Sequence, residues 1–528
     1  MLDIIIQNGM IIDGSGNPWY QSDIGIQNGE IVAIRRNIDL EAKRLIQAER
    51  LVVSPGFIDM HSHSDLMLLQ EPTAKEKIHQ GITTELLGQD GIGVAPIKPA
   101  DIGNWRKVLS GLAGDPPIDW SWRSFGDYLN ALEVKGTSTN PAVLVSFGAI
   151  RQMVIGLDNR KATLDEIEEM KKLTAEAMQS GAVGMSLGLI YLPCFYASRD
   201  ELIEIFRIVG HYDGFMVVHI RNEAELAEEA MQEVIDICIQ ANLPLHISHF
   251  KTAGRTNWHK SEIMLEMAEH ARRNGLEVTF DQYPYIAGST MFFAILPQWV
   301  LEGGADKLVE RLKVDDLRLK IKRDIKSGIP GWQNMVHDTG WDRILITSVK
   351  SEKNRCLEGK YMTEIADIWG KTPEDAALDL LLEEDASVGM ATFAQSESNV
   401  KMILKHDFQM VCTDGLLGGK PHPRVYGSFP RILGKYVREE KVITLPQAIR
   451  KMTSMPAQRL GLKDRGLIRE GLKADVVVFD PETIIDTATF EAPRQYPVGI
   501  HNVIVNGSVV LDEGKHNGNM PGKVIRRI

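Results

Sequence analysis

Two histidines separated by one residue stand at the end of an apolar run near the N-terminus. The run LVVSPGFID is followed by His61 and His63. Residues i and i+2 of a strand point to the same side, so both imidazoles can reach one point. Imidazole is a common ligand of zinc and other borderline divalent metals. The spacing therefore predicts one side of a metal site, which needs further ligands from elsewhere in the chain.

Four other apolar runs end in the same kind of residue. Asp90 follows ITTELLGQ, His219 ends FMVVH, His249 follows LPLHIS and Asp414 follows FQMVCT. A single histidine beside an apolar run is usually a packed or surface residue. Four histidines and two aspartates at corresponding strand ends would rarely occur by chance. Without a metal, each buried imidazole would also need another hydrogen-bond partner. The pattern favours a metal site made of six side chains.

Three neighbouring residues carry separate expectations. His246 lies three positions before His249, so strand alternation predicts that it points outward, against helices. Arg221 and Glu223 follow His219 closely and are expected to pair with each other near the metal.

The elements that must position these residues alternate between apolar strands and amphipathic helices. Near-continuous apolar strands between helices are typical of parallel strands covered on both sides. The strand candidates number eight and predict a (β/α)8 barrel, whose active site lies at the carboxyl ends of the strands. They are VVSPGFIDMH, ITTELLGQD, AVLVSFGA, AVGMSLGLI, FMVVHI, LPLHISHF, LEVTFDQYPY and FQMVCTDG.

The two ends of the chain resemble each other and differ from the middle. Both contain β-branched runs around Asn-Gly dipeptides, a strong hairpin signal. We predict that residues 1–54 and 465–528 form one small β-sandwich domain, with two separate β-appendages as the alternative. The barrel then occupies residues 55–464. The long segment at about 288–390, between strands seven and eight, is an insertion and a candidate lid, or a helical excursion without a role.

Composition excludes several classes of partner. The net charge of −12 argues against a surface for nucleic acid or anionic membrane, which requires clustered positive charge. Four scattered cysteines without CxxC spacing argue against a disulfide framework and indicate a reducing compartment. The N-terminus does not look like a signal peptide, and no apolar run reaches the roughly 18 residues of a membrane span. A soluble cytoplasmic protein is expected, of unknown oligomeric state.

Several segments together resemble the amidohydrolase superfamily and, within it, the N-acyl-D-amino-acid deacylases (D-aminoacylases). The segments are GFIDMHSHSD, HIRNEAE, ISHFK, TFDQYPY and CTDG, and the resemblance covers nearly the whole chain. HIRNEAE, SHFK, DQYPYIAGST and HPRVYGSFPRILGKYVRE are more specific to the deacylases than the histidine pair. The resemblance implies zinc-dependent hydrolysis of an N-acyl-D-amino acid to a carboxylate and a free D-amino acid. It leaves the acyl group and the D-side chain open.

Carried over by position, the resemblance implies two neighbouring metal subsites. His219 and His249 correspond to ligands of a tightly held zinc ion. His61, His63 and Asp414 correspond to ligands of a second ion, which is often weakly or partly held in these enzymes. Asp414 also corresponds to the catalytic proton carrier.

The segment after strand two departs from the pattern. Some deacylases have a cysteine ligand in GNCG, whereas this chain has GQDG with Asp90 at that position. A carboxylate can ligate or bridge zinc ions, so Asp90 is predicted to be a ligand, with capping of the following turn as the alternative. Strand four ends without a lysine, so a carbamylated bridging lysine is not expected.

Substrate recognition requires a cation for the α-carboxylate and groups that hold the amide. Each of the six candidate residues listed below could equally have a purely structural role. An acidic D-side chain would need one more cation from the insertion, whose lysines and arginines the sequence does not place. The candidate cations are Lys251, Arg151 and Arg424, and the residues that match substrate-holding positions are Tyr191, Tyr283 and Ser289.

Two other functions compete with this interpretation. Hydantoinases, dihydroorotases and isoaspartyl dipeptidases share the histidine pair and the final aspartate, but the missing lysine and the HIRNEAE and YPY segments count against them. A barrel that has lost its chemistry is disfavoured because such proteins usually lose ligands, and this chain retains the whole set.

Overall fold

Eight parallel strands surround the centre of the computed structural model, which describes residues 1–527. Numbered here as barrel strands 1 to 8, they are Phe57–Asp59, Ile82–Leu87, Asn140–Val143 with Val145–Ser146, Met185–Gly188, Met216–His219, Leu245–Ile247, Val278–Gln282 and Gln409–Val411. Neighbouring strands pair in parallel along this order. The barrel closes where the Asp414 amide donates to the His61 carbonyl (2.8 Å) and Ser62 bridges Gly415. The predicted (β/α)8 barrel is confirmed.

The strands are buried on both sides, which explains their near-continuous apolar sequences. On barrel strand 5, Val217 belongs to the cluster that fills the barrel interior together with Ile58 and Leu86. Its neighbours Met216 and Val218 pack into the larger cluster outside the barrel.

Helices surround the barrel and also lie in its connecting loops. Several begin at a capping side chain, such as Thr163, whose hydroxyl accepts from the Glu166 amide while the Glu166 carboxylate accepts from the Thr163 amide. The α-helices outside the insertion are Met67–Gln70, Lys75–Ile78, Ile102–Ala113, Phe125–Lys135, Phe147–Val154, Leu164–Gln179, Arg199–His211, Ala227–Ala241, Lys260–Arg273, Glu397–Lys405, Arg424–Arg431, Leu445–Met452 and Ser454–Leu460. A π-helical stretch, Ile432–Glu439, continues the helix that ends at Arg431.

Both chain termini contribute to one nine-stranded sheet. Val52–Pro55 pairs in parallel with Leu2–Ile11 and antiparallel with Val476–Phe479, which joins the two ends. The other strands are Tyr20–Gln27, Glu30–Arg35, Ala42–Gln47, Ile500–Val505, Ser508–Asp512 and Lys515–His516.

The Asn-Gly dipeptides do not all act as hairpin turns. Asn28 and Asn506, each followed by glycine, have positive φ angles of 53° and 47° and connect antiparallel strands. Asn8 also has a positive φ, but it lies inside Leu2–Ile11, where the pairing register shifts. This dipeptide forms a bulge rather than a turn.

The connection between barrel strands 7 and 8 forms a subdomain beside the carboxyl ends of the strands. Its antiparallel sheet consists of Gly288–Met291, Gly389–Thr392 and Ile344–Ser348. Its helices are Gln298–Leu301, Ala305–Leu312, Asp315–Ser327, Met335–Thr339, Met362–Trp369 and Pro373–Glu383. Among the described residues, no helix combines the length and apolar character that crossing a membrane requires.

Candidate metal centre

The histidine pair lies just beyond barrel strand 1. The Nε2 atoms of His61 and His63 are 3.2 Å apart. Asp414 reaches them from beyond barrel strand 8, with Oδ1 at 3.6 Å from Nε2 of His61 and 3.3 Å from Nε2 of His63. These three donor atoms surround one point, as expected of ligands that share an ion.

Asp90 lies between this group and a second group. Its Oδ2 is 3.5 Å from Nε2 of both His61 and His63, and its Oδ1 is 3.6 Å from Nε2 of His249. One ligand atom each from Asp90, His219 and His249 lie within 4.8 Å of one another. The two carboxylate oxygens therefore face different histidine groups, which is the arrangement that a bridging carboxylate requires.

The backbone at three of these residues is in the left-handed region. The φ angles are 56° at Asp90, 34° at His249 and 48° at Asp414. Non-glycine residues seldom adopt such angles, and the cost is tolerated mostly where a functional site requires a particular side-chain direction. At each position the chain turns away from a strand end and directs the side chain inward.

Burial and neighbouring charges shift the pKa values of three histidines in the site. Burial alone would lower the pKa of His63, but its hydrogen bonds to Asp414 and Asp90 raise that pKa to about 9. Burial and Lys251 would lower the pKa of His249, which Asp90 and Glu223 nevertheless raise to about 10. By contrast, burial lowers the pKa of His219 to about 4.

The two aspartates are held as carboxylates. Although burial favours the neutral acid, Arg424 and His61 hold the pKa of Asp414 well below its usual range. His61 and His249 likewise outweigh burial and hold the pKa of Asp90 well below its usual range.

The donor atoms fit a divalent transition metal. Both ring nitrogens of His219 and Oδ1 of Asp90 are buried without a hydrogen-bond partner among the described residues. Unpaired buried polar atoms are costly, and a cation would satisfy Oδ1 of Asp90 and one of the two ring nitrogens of His219. Imidazole nitrogens together with carboxylate oxygens are the ligands that zinc takes in proteins.

Glu223 and Lys251 support the histidines from one side. The Lys251 ammonium is 2.6 Å from Oε1 of Glu223 and 2.9 Å from Nδ1 of His249. Glu223 also approaches Nδ1 of His249 at 3.2 Å, which leaves Nε2 directed at the shared point. Arg221 does not pair with Glu223 as expected, because its guanidinium binds the Glu233 carboxylate at 2.9 Å instead.

His246 lies inside the barrel, and the expectation that it points outward is wrong. It pairs in register with Val217, whose side chain fills the barrel interior, and its ring nitrogens lie 2.8 Å from Thr279 and from Asp281. The alternation does not extend to His249, since barrel strand 6 ends at Ile247 and the backbone then turns.

A cavity between the barrel and the insertion lies next to the candidate metal donors. Four of the six residues proposed to hold substrate lie there. Tyr283 accepts a hydrogen bond from the Gln395 amide at 2.8 Å, which leaves its own proton free for a ligand. Ser289 donates its hydroxyl to the Met390 carbonyl at 2.7 Å. The four residues are Tyr191, Lys251, Tyr283 and Ser289.

The two arginines proposed for substrate lie elsewhere. Arg151 is fully buried on the helix Phe147–Val154, where its Nε donates to Glu201 at 2.9 Å, and the structure therefore excludes it from the cavity wall. Arg424 is also fully buried and lies behind Asp414, with Nη1 at 2.8 Å from Oδ2. It contacts the proposed proton carrier rather than open space.

Several residues in the cavity wall carried no signal in the sequence. Gln333, Asp338 and Gln395 belong to the insertion or the loop that follows it, and no motif or periodicity marks them. Glu223 was recognised only as a partner for Arg221, although its position four residues after His219 could have indicated a supporting carboxylate.

Known proteins are similar to this chain over nearly its full length. A family model described as "Amidohydrolase family" matches residues 44–317 and 366–511. The D-aminoacylase of Alcaligenes xylosoxydans xylosoxydans is 35% identical over 526 residues, which cover 99% of this chain and 98% of the relative. The N-acyl-D-glutamate deacylase of the same organism is 34% identical, with 100% and 97% covered.

Solved structures agree with this similarity. The N-acyl-D-glutamate deacylase of Bordetella bronchiseptica, complexed with zinc and a phosphonate mimic of the tetrahedral intermediate, superposes with a TM-score of 0.85 at 34% identity over 99% of both chains. A D-aminoacylase structure has a TM-score of 0.83 at 33% identity over 100% of both chains. A D-hydantoinase, at 17% identity and a TM-score of 0.56, shares the fold alone.

Proposed function

This chain belongs to the amidohydrolase family, and on that premise we propose that it hydrolyses the amide bond of N-acyl-D-amino acids to a carboxylate and a free D-amino acid. The observation that carries the proposal is the convergence of six candidate metal donors, five of which line one cavity together with Lys251 and Tyr283. Full-length relatives named as D-aminoacylase and as N-acyl-D-glutamate and N-acyl-D-aspartate deacylases support the linear N-acyl-D-amino acid as substrate.

We assign the metal donors to two zinc positions. Asp90, His219 and His249 hold the tighter ion. The second, weaker position takes His61, His63 and Asp414, with Asp90 between the two. Bound zinc supplies a Lewis acid that polarises the amide carbonyl and acidifies water.

Asp414 moves the proton during the reaction. Its carboxylate accepts a proton from the attacking water and passes it to the leaving nitrogen, which departs as a neutral amine. Two contacts hold the group in place, because Oδ1 faces the histidine pair while Oδ2 is fixed by Arg424. Arg424 thus acts in this proposal as a positioning residue, and its direct contact with substrate stays a prediction.

The α-carboxylate of the substrate binds at Lys251 and Tyr283. Lys251 is the only lysine or arginine among the described residues that line the metal cavity. Glu223 outweighs burial and raises the pKa of Lys251, so the ammonium stays charged. The free proton of Tyr283 provides a second donor. Tyr191 and Ser289 complete the proposed contacts, and the Tyr191 hydroxyl lies 2.8 Å from Oγ1 of Thr290, the neighbour of Ser289.

The test uses zinc-loaded enzyme with paired N-acetyl-D- and N-acetyl-L-amino acids, and cyclic imides as the alternative substrates. We expect hydrolysis of the D-compounds. Asp414→Asn should lower kcat by about 10²- to 10⁴-fold, the usual contribution of general acid–base catalysis, while zinc at Asp90, His219 and His249 is retained. Near-normal kcat in this variant would exclude the proton-carrier role, and preference for cyclic imides would exclude the proposed substrate class.

A further inference from the structure

A second cavity adjoins the metal cavity and differs from it in chemistry. The two share Ile92, Tyr191, Gln333 and Met335 in their walls, so the cavities are adjacent. None of the described residues that line it is acidic or basic.

Its walls are large apolar side chains from three parts of the chain. Trp105 and Val108 come from the helix Ile102–Ala113, and Leu192 comes from the loop after barrel strand 4. The Trp105 indole donates its proton to the Gly93 carbonyl at 3.0 Å, so only its apolar ring faces the cavity. The insertion completes the wall with Phe293, Leu296, Leu301, Leu308 and Trp332.

None of the described basic residues of the insertion lines this cavity. Arg311 donates to the carbonyl of Val300 at 3.0 Å. Carboxylates at or near the surface bind four others. These pairs are Lys307–Glu310, Arg318–Asp379, Lys322–Asp375 and Lys353–Glu383.

An acidic substrate side chain would therefore enter the cavity without a counter-ion. The polar residues there are Tyr191 and the neutral amides of Asn104, Gln298 and Gln333, and Gln333 already accepts a hydrogen bond from the Glu223 amide at 2.8 Å. Burying a carboxylate without a paired cation is costly, whereas each buried methylene is favourable.

Sequence identity to the relatives does not show which D-side chain the substrate of this chain carries. D-aminoacylase and the D-glutamate and D-aspartate deacylases are 35%, 34% and 33% identical to this chain. From the chemistry of the second cavity we infer that it takes a large apolar group of the substrate, supplied by the D-side chain or by the acyl chain, and that acidic N-acyl-D-amino acids are poor substrates. The inference rests on the proposed function.

The test compares four substrates with the zinc-loaded enzyme: N-acetyl-D-phenylalanine, N-decanoyl-D-alanine, N-acetyl-D-alanine and N-acetyl-D-glutamate. We expect one or both of the large apolar substrates to exceed N-acetyl-D-alanine in kcat/KM by about tenfold or more, and N-acetyl-D-glutamate to be the poorest. The substrate that gains shows whether the side chain or the acyl chain occupies the cavity.

Two variants link the preference to the cavity. Val108→Trp should lower the ratio of kcat/KM for the preferred large substrate over N-acetyl-D-alanine by about tenfold, because the indole fills the cavity. Val134→Trp is the matched control, since Val134 also lies on a helix but is 89% exposed and lines neither cavity. Gln298→Arg places a cation at the cavity and should raise the rate with N-acetyl-D-glutamate relative to N-acetyl-D-phenylalanine.

The outcomes separate the inference from the function on which it rests. If N-acetyl-D-glutamate is the best of the four substrates, the apolar occupant is excluded while the deacylase function stands. An unchanged substrate ratio in well-folded Val108→Trp, together with no response to Gln298→Arg, excludes the cavity as the specificity site. Absence of turnover with every N-acyl-D-amino acid contradicts the proposed function itself.

Discussion

Asp281 lies beneath the metal donors without being one of them. Its Oδ1 accepts from the His249 backbone amide at 2.8 Å, its Oδ2 binds His246 at 2.8 Å, and Nδ1 of His61 is 3.9 Å away. Carboxylates placed behind metal-binding histidines fix the ring orientation and raise ligand basicity. Asp281 therefore fixes the backbone of His249 and places a negative charge near His61.

Asp281→Asn should weaken zinc binding by about 10- to 100-fold, because the neutral amide removes the charge 3.9 Å from His61 and replaces the carboxylate that binds the His249 backbone amide. The measurement is zinc dissociation in competition with a chelator, followed by the amount of zinc needed to restore activity. Asp475→Asn is a matched control, since Asp475 is equally buried but pairs with Arg465 outside the site. Equal zinc affinities in the two variants would contradict this role.

At the scale of residues, the sequence predicts where the site residues lie better than which residues they contact. The six proposed donors could be found because each follows an apolar run, and the barrel brings the ends of those runs together. The partner of Arg221 could not be found, because Glu233 lies on the following helix and its direction depends on packing. The orientation of His246 was predicted wrongly because a backbone turn at His249 leaves no sequence signal.

At the scale of elements, the insertion docks through a close backbone approach. Gly389, at the start of the strand Gly389–Thr392, has room for no side chain, since an added Cβ would lie 2.4 Å from the Gly111 carbonyl oxygen. Gly111 belongs to the helix Ile102–Ala113, which also lines the second cavity. The same contact therefore joins the insertion to the cavity wall.

Gly389→Ala should lower the free energy of unfolding by about 1 to 3 kcal/mol, because the backbone of the helix must shift to admit the methyl group. It should also reduce kcat/KM for the large apolar substrates. Gly103→Ala on the same helix is the control, since a Cβ there meets nothing within 4 Å and should be neutral or slightly stabilising. Urea unfolding of both variants provides the comparison, and equal stability would exclude the close approach.

The elements themselves were only partly predictable. The barrel strands could be found because burial on both faces makes each a continuous apolar run. The sheet of the insertion could not, because Gly288–Met291 is short and half-exposed and pairs with Gly389–Thr392 from the far end of the insertion. Among the Asn-Gly dipeptides, Asn8 shows the limit of a local rule, since pairing with neighbouring strands decides between turn and bulge.

At the scale of the whole molecule, one buried lysine makes stability depend on pH. Lys451 lies on the helix Leu445–Met452, where its ammonium contacts the carbonyls of His406 and Gln409, the latter at 3.4 Å. It is only 5% exposed, and burial lowers its pKa from the usual 10.5 to about 7. Between these two values the unfolded chain binds a proton that the folded chain does not, so the free energy of unfolding contributed by Lys451 rises with pH across that window.

Lys451→Met should remove this contribution. The variant gains most relative to the parent at pH 7 and below, where the parent must bury a charge, and the difference should shrink steadily toward about pH 10. The measurement is urea unfolding of parent and variant at the same zinc content across this range. Lys172→Met is the control, because the Lys172 side chain is 75% exposed and its stability difference should stay flat. A difference for Lys451→Met that does not change with pH would show that this lysine remains charged in the folded protein.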